Sequence, residues 1–113
     1  MSLHLLERGY DYLSRRVYDS ARVTYLKALH HARIVQRDDH IAQALNNLGV
    51  IYFQSGHLDS SIYYYDQAAG HYRRSQDSTM LSSVMVNLGI LYKEKGLYEK
   101  SLGYLLEASH RLE

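Results

Sequence analysis

NLGVIYFQSG at Asn47–Gly56 and NLGILYKEKG at Asn87–Gly96 share one ten-residue frame, forty positions apart. The offset extends through the whole chain. Gly9, Gly49 and Gly89 align, as do Tyr12, Tyr52 and Tyr92, and then Ala28, Ala68 and Ala108. Ala21, Ser61 and Ser101 share a small-residue position, while Tyr25, Tyr65 and Leu105 share a large one. Three repeats, about 1–38, 39–78 and 79–113, fill the 113 residues, and self-similarity at such a period marks a solenoid.

Within a repeat the apolar residues follow helical steps of three and four. Ala42, Leu45, Leu48 and Tyr52 form one run, and Leu58, Ile62, Tyr65, Ala68, Ala69 and Tyr72 the next, with no strict alternation that would support a strand. Each repeat is therefore two helices, and the class is all-α. The expected helices are 3–14, 18–36, 39–54, 59–75, 79–94 and 98–111. Ser55-Gly56-His57 and Lys95-Gly96 supply a glycine able to take positive φ after the first helix of a pair, with Asp59 positioned to cap the next. Arg16 stands where the other repeats have glycine, so the first hairpin is expected to differ slightly in shape. Asp38-Asp39 and Asp77-Ser78 precede the remaining runs and are expected to accept the orphan amides of their first turns.

Glycine in mid-helix costs nearly 1 kcal/mol relative to alanine. Gly49 and Gly89 therefore imply a crossing where two backbones approach too closely for a side chain, with Ala68 and Ala108 serving the same purpose from the second helix. Tyr52 and Tyr92, one turn on, are expected to fill the space beyond.

Composition narrows the function classes. A chain of this length buries roughly two thirds of its unfolded surface and needs no staple to fold. It has no proline, cysteine or tryptophan, so disulfides, thiolate metal sites and thiol nucleophiles are excluded. Twelve tyrosines against one phenylalanine suit half-buried positions with one polar end. No run of about 18 apolar residues exists, and MSLHLLERGY is too short and too charged for a signal h-region, so a soluble chain without membrane contact is expected, while the absence of cysteine leaves the compartment open, with the cytoplasm favoured. Thirteen Lys/Arg balance twelve Asp/Glu, dispersed instead of gathered in a stripe, which argues against nucleic acid.

At the aligned positions the chain resembles the tetratricopeptide repeat family. Leu45, Leu48, Gly49, Tyr52, Ser61, Tyr65 and Ala68 fill that family's frame in the second repeat, and Met85, Leu88, Gly89, Tyr92, Ser101, Leu105 and Ala108 fill it in the third. The first repeat keeps Leu5, Gly9, Tyr12, Ala21, Tyr25 and Ala28 but has Arg8 where leucine belongs. The period is forty instead of the family's 34, and the family's proline is missing. In this it is similar to the long-period branch found in kinesin light chains, spindle-orientation adaptors, and bacterial sensor kinases and peptide-responsive regulators. The resemblance implies a right-handed α-solenoid of antiparallel helix pairs whose first helices line a concave groove for an extended peptide or helix.

On that groove face lie Gln43, Asn47, Val50 and Gln54, then Ser83, Asn87, Ile90 and Glu94, with Leu3, Glu7, Tyr10 and Ser14 from the first repeat. Asn47 and Asn87 each offer a donor and an acceptor suited to a peptide backbone, as asparagines do at this place in long-period relatives. The alternative is that both amides bond to neighbouring helices or water. Glu7 replaces the third rung. Some relatives hold a terminal carboxylate with two asparagines and three basic residues; here Leu6, Tyr10, Asn47, Ser83 and Asn87 occupy those places and only Asn47 agrees.

Reaction chemistry is not written in this chain. None of the seven histidines pairs with another at the i, i+4 spacing that would direct two imidazoles to one metal, and no phosphate-binding loop or nucleophile elbow is present. Neither an enzyme nor a cofactor is expected. Tyr63-Tyr64-Tyr65 reads as a core residue with solvent-facing flanks more than as a stacking platform.

The last helix presents Leu102, Leu105, Leu106 and Leu112, more apolar surface than one neighbour covers. Both ends are abrupt, so the chain is expected to be a fragment of a longer protein. Two functions follow: a noncatalytic scaffold binding a protein or peptide in the groove, the interaction or sensory part of a larger signalling or adaptor protein, or a module that forms homo-oligomers through Leu102, Leu105 and Leu106. A receptor that changes superhelical pitch on binding a signalling peptide is a third reading.

Overall fold

The computed structural model describes residues 1–112, with side chains through His110, so Leu112 falls outside the described side chains. Among the described residues six helices follow one another: α1 (Ser2–Ser14), α2 (Tyr18–Ile34), α3 (Asp38–Gln54), α4 (Leu58–Ser75), α5 (Ser78–Glu94) and α6 (Tyr98–Leu112). Each packs chiefly on its neighbours in sequence, giving an elongated body of 39 × 29 × 19 Å. From α2 onward the helices begin at residues 18, 38, 58, 78 and 98, so the forty-residue repeat is two equal helix-and-turn steps.

The turns explain that regularity. In all five, one residue adopts left-handed backbone: Arg16 (φ 60°), Gln36 (φ 56°), Gly56 (φ 83°), Gln76 (φ 59°) and Gly96 (φ 81°). The next amide then reaches back five residues, as in Val17 N to Tyr12 O at 2.9 Å and His57 N to Tyr52 O at 2.8 Å, closing a Schellman-type end. The first hairpin is therefore not different in shape. Arg16 takes the conformation glycine takes elsewhere, because the helix pair that follows demands it, at a cost of about 1 kcal/mol. The same turn at Gln36 ends α2 at Ile34, short of the expected residue 36.

Capping differs from expectation as well. Asp77 accepts the Met80 amide at 3.1 Å and caps α5. Asp38, Asp39 and Asp59 sit inside the first turns of α3 and α4, past the N-cap residues Arg37 and His57, and cap neither helix. Their negative charge still faces the positive end of the helix dipole. Asp59 pairs with Lys95, Asp39 with Arg37, and Asp38 with His71.

The close crossings are where the glycines placed them. A Cβ on Gly49 would stand 2.8 Å from the Tyr65 ring, and one on Gly9 would stand 2.9 Å from Tyr25. On Gly89 it would meet Leu105 at 2.7 Å. Ala28, Ala68 and Ala108 are buried opposite. The Ser61 hydroxyl donates to Gly49 O at 2.8 Å and the Ser101 hydroxyl to Gly89 O at 2.6 Å, tying each pair together at its crossing. Ala21 forgoes that bond in the first repeat. Tyr52 and Tyr92 stack on Tyr64 and Tyr104 with centroids 5.5 and 5.4 Å apart, while Tyr63 faces solvent and Tyr65 is core.

Candidate functional site: a cleft on the first-helix face

Between α3 and α5 the solenoid opens. α1 packs directly on α3, helped by a 2.5 Å contact between Ser2 Oγ and His40 Nδ1, whereas α3 and α5 scarcely touch. Met80 holds in α5 the place of His40 in α3, and its apolar side chain offers no comparable link. The result is a cleft of about 350 Å³ lined by Tyr10 of α1, Asp39, Gln43, Asn46 and Asn47 of α3, Tyr72 and Ser75 of α4, Asp77, and Met80 of α5.

Its lining surface is largely apolar, and its charged groups are anionic. Three side-chain amides and two carboxylates share the wall with two phenols, and among the described residues no lysine or arginine lines it. The Arg37 guanidinium hydrogen-bonds Asp39 and holds that carboxyl below its usual range. Burial pushes the Tyr72 phenol up to about 12, and the charge of Asp77 adds to the shift. Burial also raises the Tyr25 and Tyr65 phenols, both in the core.

Three expected groove residues, Tyr10, Gln43 and Asn47, meet at this cleft. Hydrogen-bonding side chains of α3 are confined to its ends, Asp38, Asp39 and His40 at the start and Gln54 at the finish. The half-buried Asn47 amide has no partner among the described residues, and neither has that of Asn87. Gln54 accepts from the Tyr18 hydroxyl at 3.0 Å and is turned toward α2. Val50, Ser83, Asn87, Ile90 and Glu94 lie on the exposed or half-buried faces of α3 and α5 but outside the cleft, as do Leu3, Glu7 and Ser14 of α1. Leu6 is a core residue, which removes it from any carboxylate-holding arrangement.

Asp39, Asn46, Tyr72, Ser75, Asp77 and Met80 line the cleft without having been expected there. Asn46 adjoins the asparagine singled out and carries a weak signal of its own. Asp39 and Met80 belong to the first turns of α3 and α5, and Tyr72, Ser75 and Asp77 come from the end of α4 and the junction after it, which reach the cleft because α3 and α5 diverge.

The sequence profile of the tetratricopeptide repeat matches residues 1–74 and again residues 41–112. The chain belongs to the tetratricopeptide repeat family. That fold is in general a noncatalytic protein-interaction fold. Among solved structures, the tetratricopeptide domain of Arabidopsis FLU is 19% identical with a TM-score of 0.90, covering 98% of this chain and 93% of that one. BtubC from P. vanneervenii is 22% identical, with TM-score 0.90, 97% of this chain and 46% of that one. The TPR2AB domain of yeast Sti1, solved as a complex with pHSP90, is 20% identical, with TM-score 0.79, 98% of this chain and 41% of that one. At these identities the likeness is one of fold. No curated protein matches the sequence.

A second surface stands out at the far end. The position filled by Tyr25 and Tyr65, 0% and 2% exposed beneath the following helix, is Leu105 in α6, where it is 36% exposed. Leu102 and Leu106 beside it are 57% and 60% exposed, although Leu105 still leans on Gly89. The opposite end is not its mirror image. Where α3 has Ile41, Ala44, Leu48 and Ile51 buried, Met1 and the α1 residues His4, Arg8 and Asp11 face solvent. The two ends therefore do not complement each other by apolar packing. Among the described residues, no group of three His, Asp or Glu side chains converges as metal ligands, and no helix is long and apolar enough to cross a membrane.

Proposed function

We propose that this chain is the interaction or sensory module of a larger signalling or adaptor protein, without catalytic activity, and holds a partner's peptide or helix along the first-helix face. The observation that carries the reading is Asn47: a half-buried amide at the wall of a 350 Å³ cleft with its donors and acceptor free of intramolecular bonds. Burying polar groups without partners is costly, so such amides are poised to pair with a peptide backbone. Asn87, one repeat on and equally free, supplies a second rung in the same register. The complex of the similarly folded Sti1 domain with pHSP90 supports a protein or peptide partner, while of the five places that hold a terminal carboxylate in some relatives only Asn47 agrees here.

The test is selection of binders from a random displayed peptide library against the intact chain and its Asn47→Ala/Asn87→Ala variant. Peptides that enrich on the natural chain and bind at least about tenfold more weakly to a folded double variant support the reading. Equal affinity for both removes the rung mechanism.

A second reading rests on α6. With Leu102, Leu105 and Leu106 uncovered, copies associate through that helix in an isologous contact. Light scattering after size exclusion decides it: a monomer at high concentration refutes self-association.

A further inference from the structure

The two carboxylates of the cleft are not equivalent. Asp39 is engaged by Arg37 through hydrogen bonds of 3.1 and 3.0 Å. Asp77 accepts only the Met80 amide and has no ion-pair partner among the described residues. The basic residues nearest to it in sequence are committed elsewhere, Arg73 to Glu107 at 3.1 Å and Arg74 to Asp38 and His71. A second polar group points the same way. Tyr72 is 5% exposed, lines the cleft beside Asp77, and its hydroxyl makes no hydrogen bond within the described residues. Farther along the first-helix face, the charged residues at the expected groove positions are Glu7 and Glu94, both acidic and both unpaired among the described residues. The chain as a whole has a formal net charge of +1, so the negative face is a local segregation of charge.

We propose that the cleft receives a cationic side chain, a lysine or arginine of the bound peptide, with Asp77 as its counter-ion. The proposal rests on the groove reading above and adds the charge of the ligand. A cation entering here gains a charge-assisted hydrogen bond to Asp77, with the Tyr72 hydroxyl and the carbonyl oxygens of Gln43, Asn46 and Asn47 as further acceptors. The exposed Tyr10 ring offers its negative face at the rim. An anionic residue would meet two carboxylates and no cation free to neutralise it.

The experiment uses the intact chain and the peptide enriched from the display library, synthesised with its basic residue and again with a neutral isostere, citrulline for arginine or norleucine for lysine. Both peptides are titrated against the natural chain and Asp77→Asn, a variant that keeps the α5 cap because asparagine caps a helix as well as aspartate does. The expected result is a lysine or arginine in the consensus. Its neutral isostere should bind about five- to tenfold more weakly to the natural chain, with a difference under about twofold in Asp77→Asn. A consensus without a basic residue, or an isostere penalty unchanged in Asp77→Asn, overturns the proposal and leaves the groove reading standing. Absence of any enriched peptide overturns both.

Discussion

Alanine at Gly49 and at Gly89 should have opposite outcomes, although the two glycines hold the same place in the repeat. At Gly49 the new methyl would lie 2.8, 2.9 and 3.0 Å from Cδ1, Cε1 and Cγ of Tyr65. Cγ is the root of the ring, and Tyr65 is enclosed on all sides, so relief requires moving α4 away from α3. Overpacking of this kind costs about 2–3 kcal/mol, from which the better helix propensity of alanine recovers about 1. The net is a loss of about 1–2 kcal/mol, or roughly 4–8 °C in melting temperature for a domain of this size. At Gly89 the methyl meets Cδ2 and Cγ of Leu105 at 2.7 Å. Cδ2 ends that side chain and Cγ is its branch point, but Leu105 is 36% exposed, so rotation about χ1 can carry both outward, and the Ser101 carbonyl oxygen at 3.4 Å is only an ordinary contact. There the propensity gain cancels most of the strain, and the variant should melt within about 2 °C of the natural chain. Thermal and urea unfolding followed by far-ultraviolet circular dichroism measures both. Equal losses would show that the uncovered face gives Leu105 no freedom, and a neutral Gly49→Ala would show that the crossing is not tight.

Arg16→Gly should stabilise by about 0.5–1 kcal/mol in urea unfolding, because the left-handed turn at φ 60° no longer carries a Cβ, an effect partly offset by the greater entropy of glycine in the unfolded chain. Stability should also fall in alkali. Tyr72 keeps its proton up to about 12 in the folded chain against about 10 when unfolded, so its contribution is complete below pH 10 and is lost as pH rises through 12. The loss is on the order of 2–3 kcal/mol for this residue, and buried Tyr25 and Tyr65 act in the same direction. Tyrosinate absorbance during alkaline titration should show these phenols ionising only with unfolding, and smooth titration of all twelve tyrosines near pH 10 in a folded chain would refute it.

Much of the architecture was written in the forty-residue offset, because helix faces and backbone crossings depend on residues a few positions apart. The spacing of Leu45, Leu48, Gly49 and Tyr52 fixes one helical stripe and the place where it must be thin, and the Tyr65 ring lies where that thinness is used. The turns were only half legible: Gly56 and Gly96 announce positive φ, but Arg16, Gln36 and Gln76 adopt it under the demand of the helices they join. Aspartates before apolar runs signalled helix starts without revealing which would cap, since one residue of register separates a cap from a first-turn charge.

The cleft belongs to the tertiary structure. Tyr10, Asn47, Tyr72 and Asp77 converge from three helices and a junction, and what brings them together is the close packing of α1 on α3 set against the divergence of α3 and α5. Periodicity placed Asn47 on the helix face that lines the cleft. Only the packing angle between successive repeats decided which residues of α4 and its junction would stand opposite it, whereas Leu105 is uncovered for a simpler reason: among the described residues no helix follows α6 to cover it as α3 covers Tyr25 and α5 covers Tyr65.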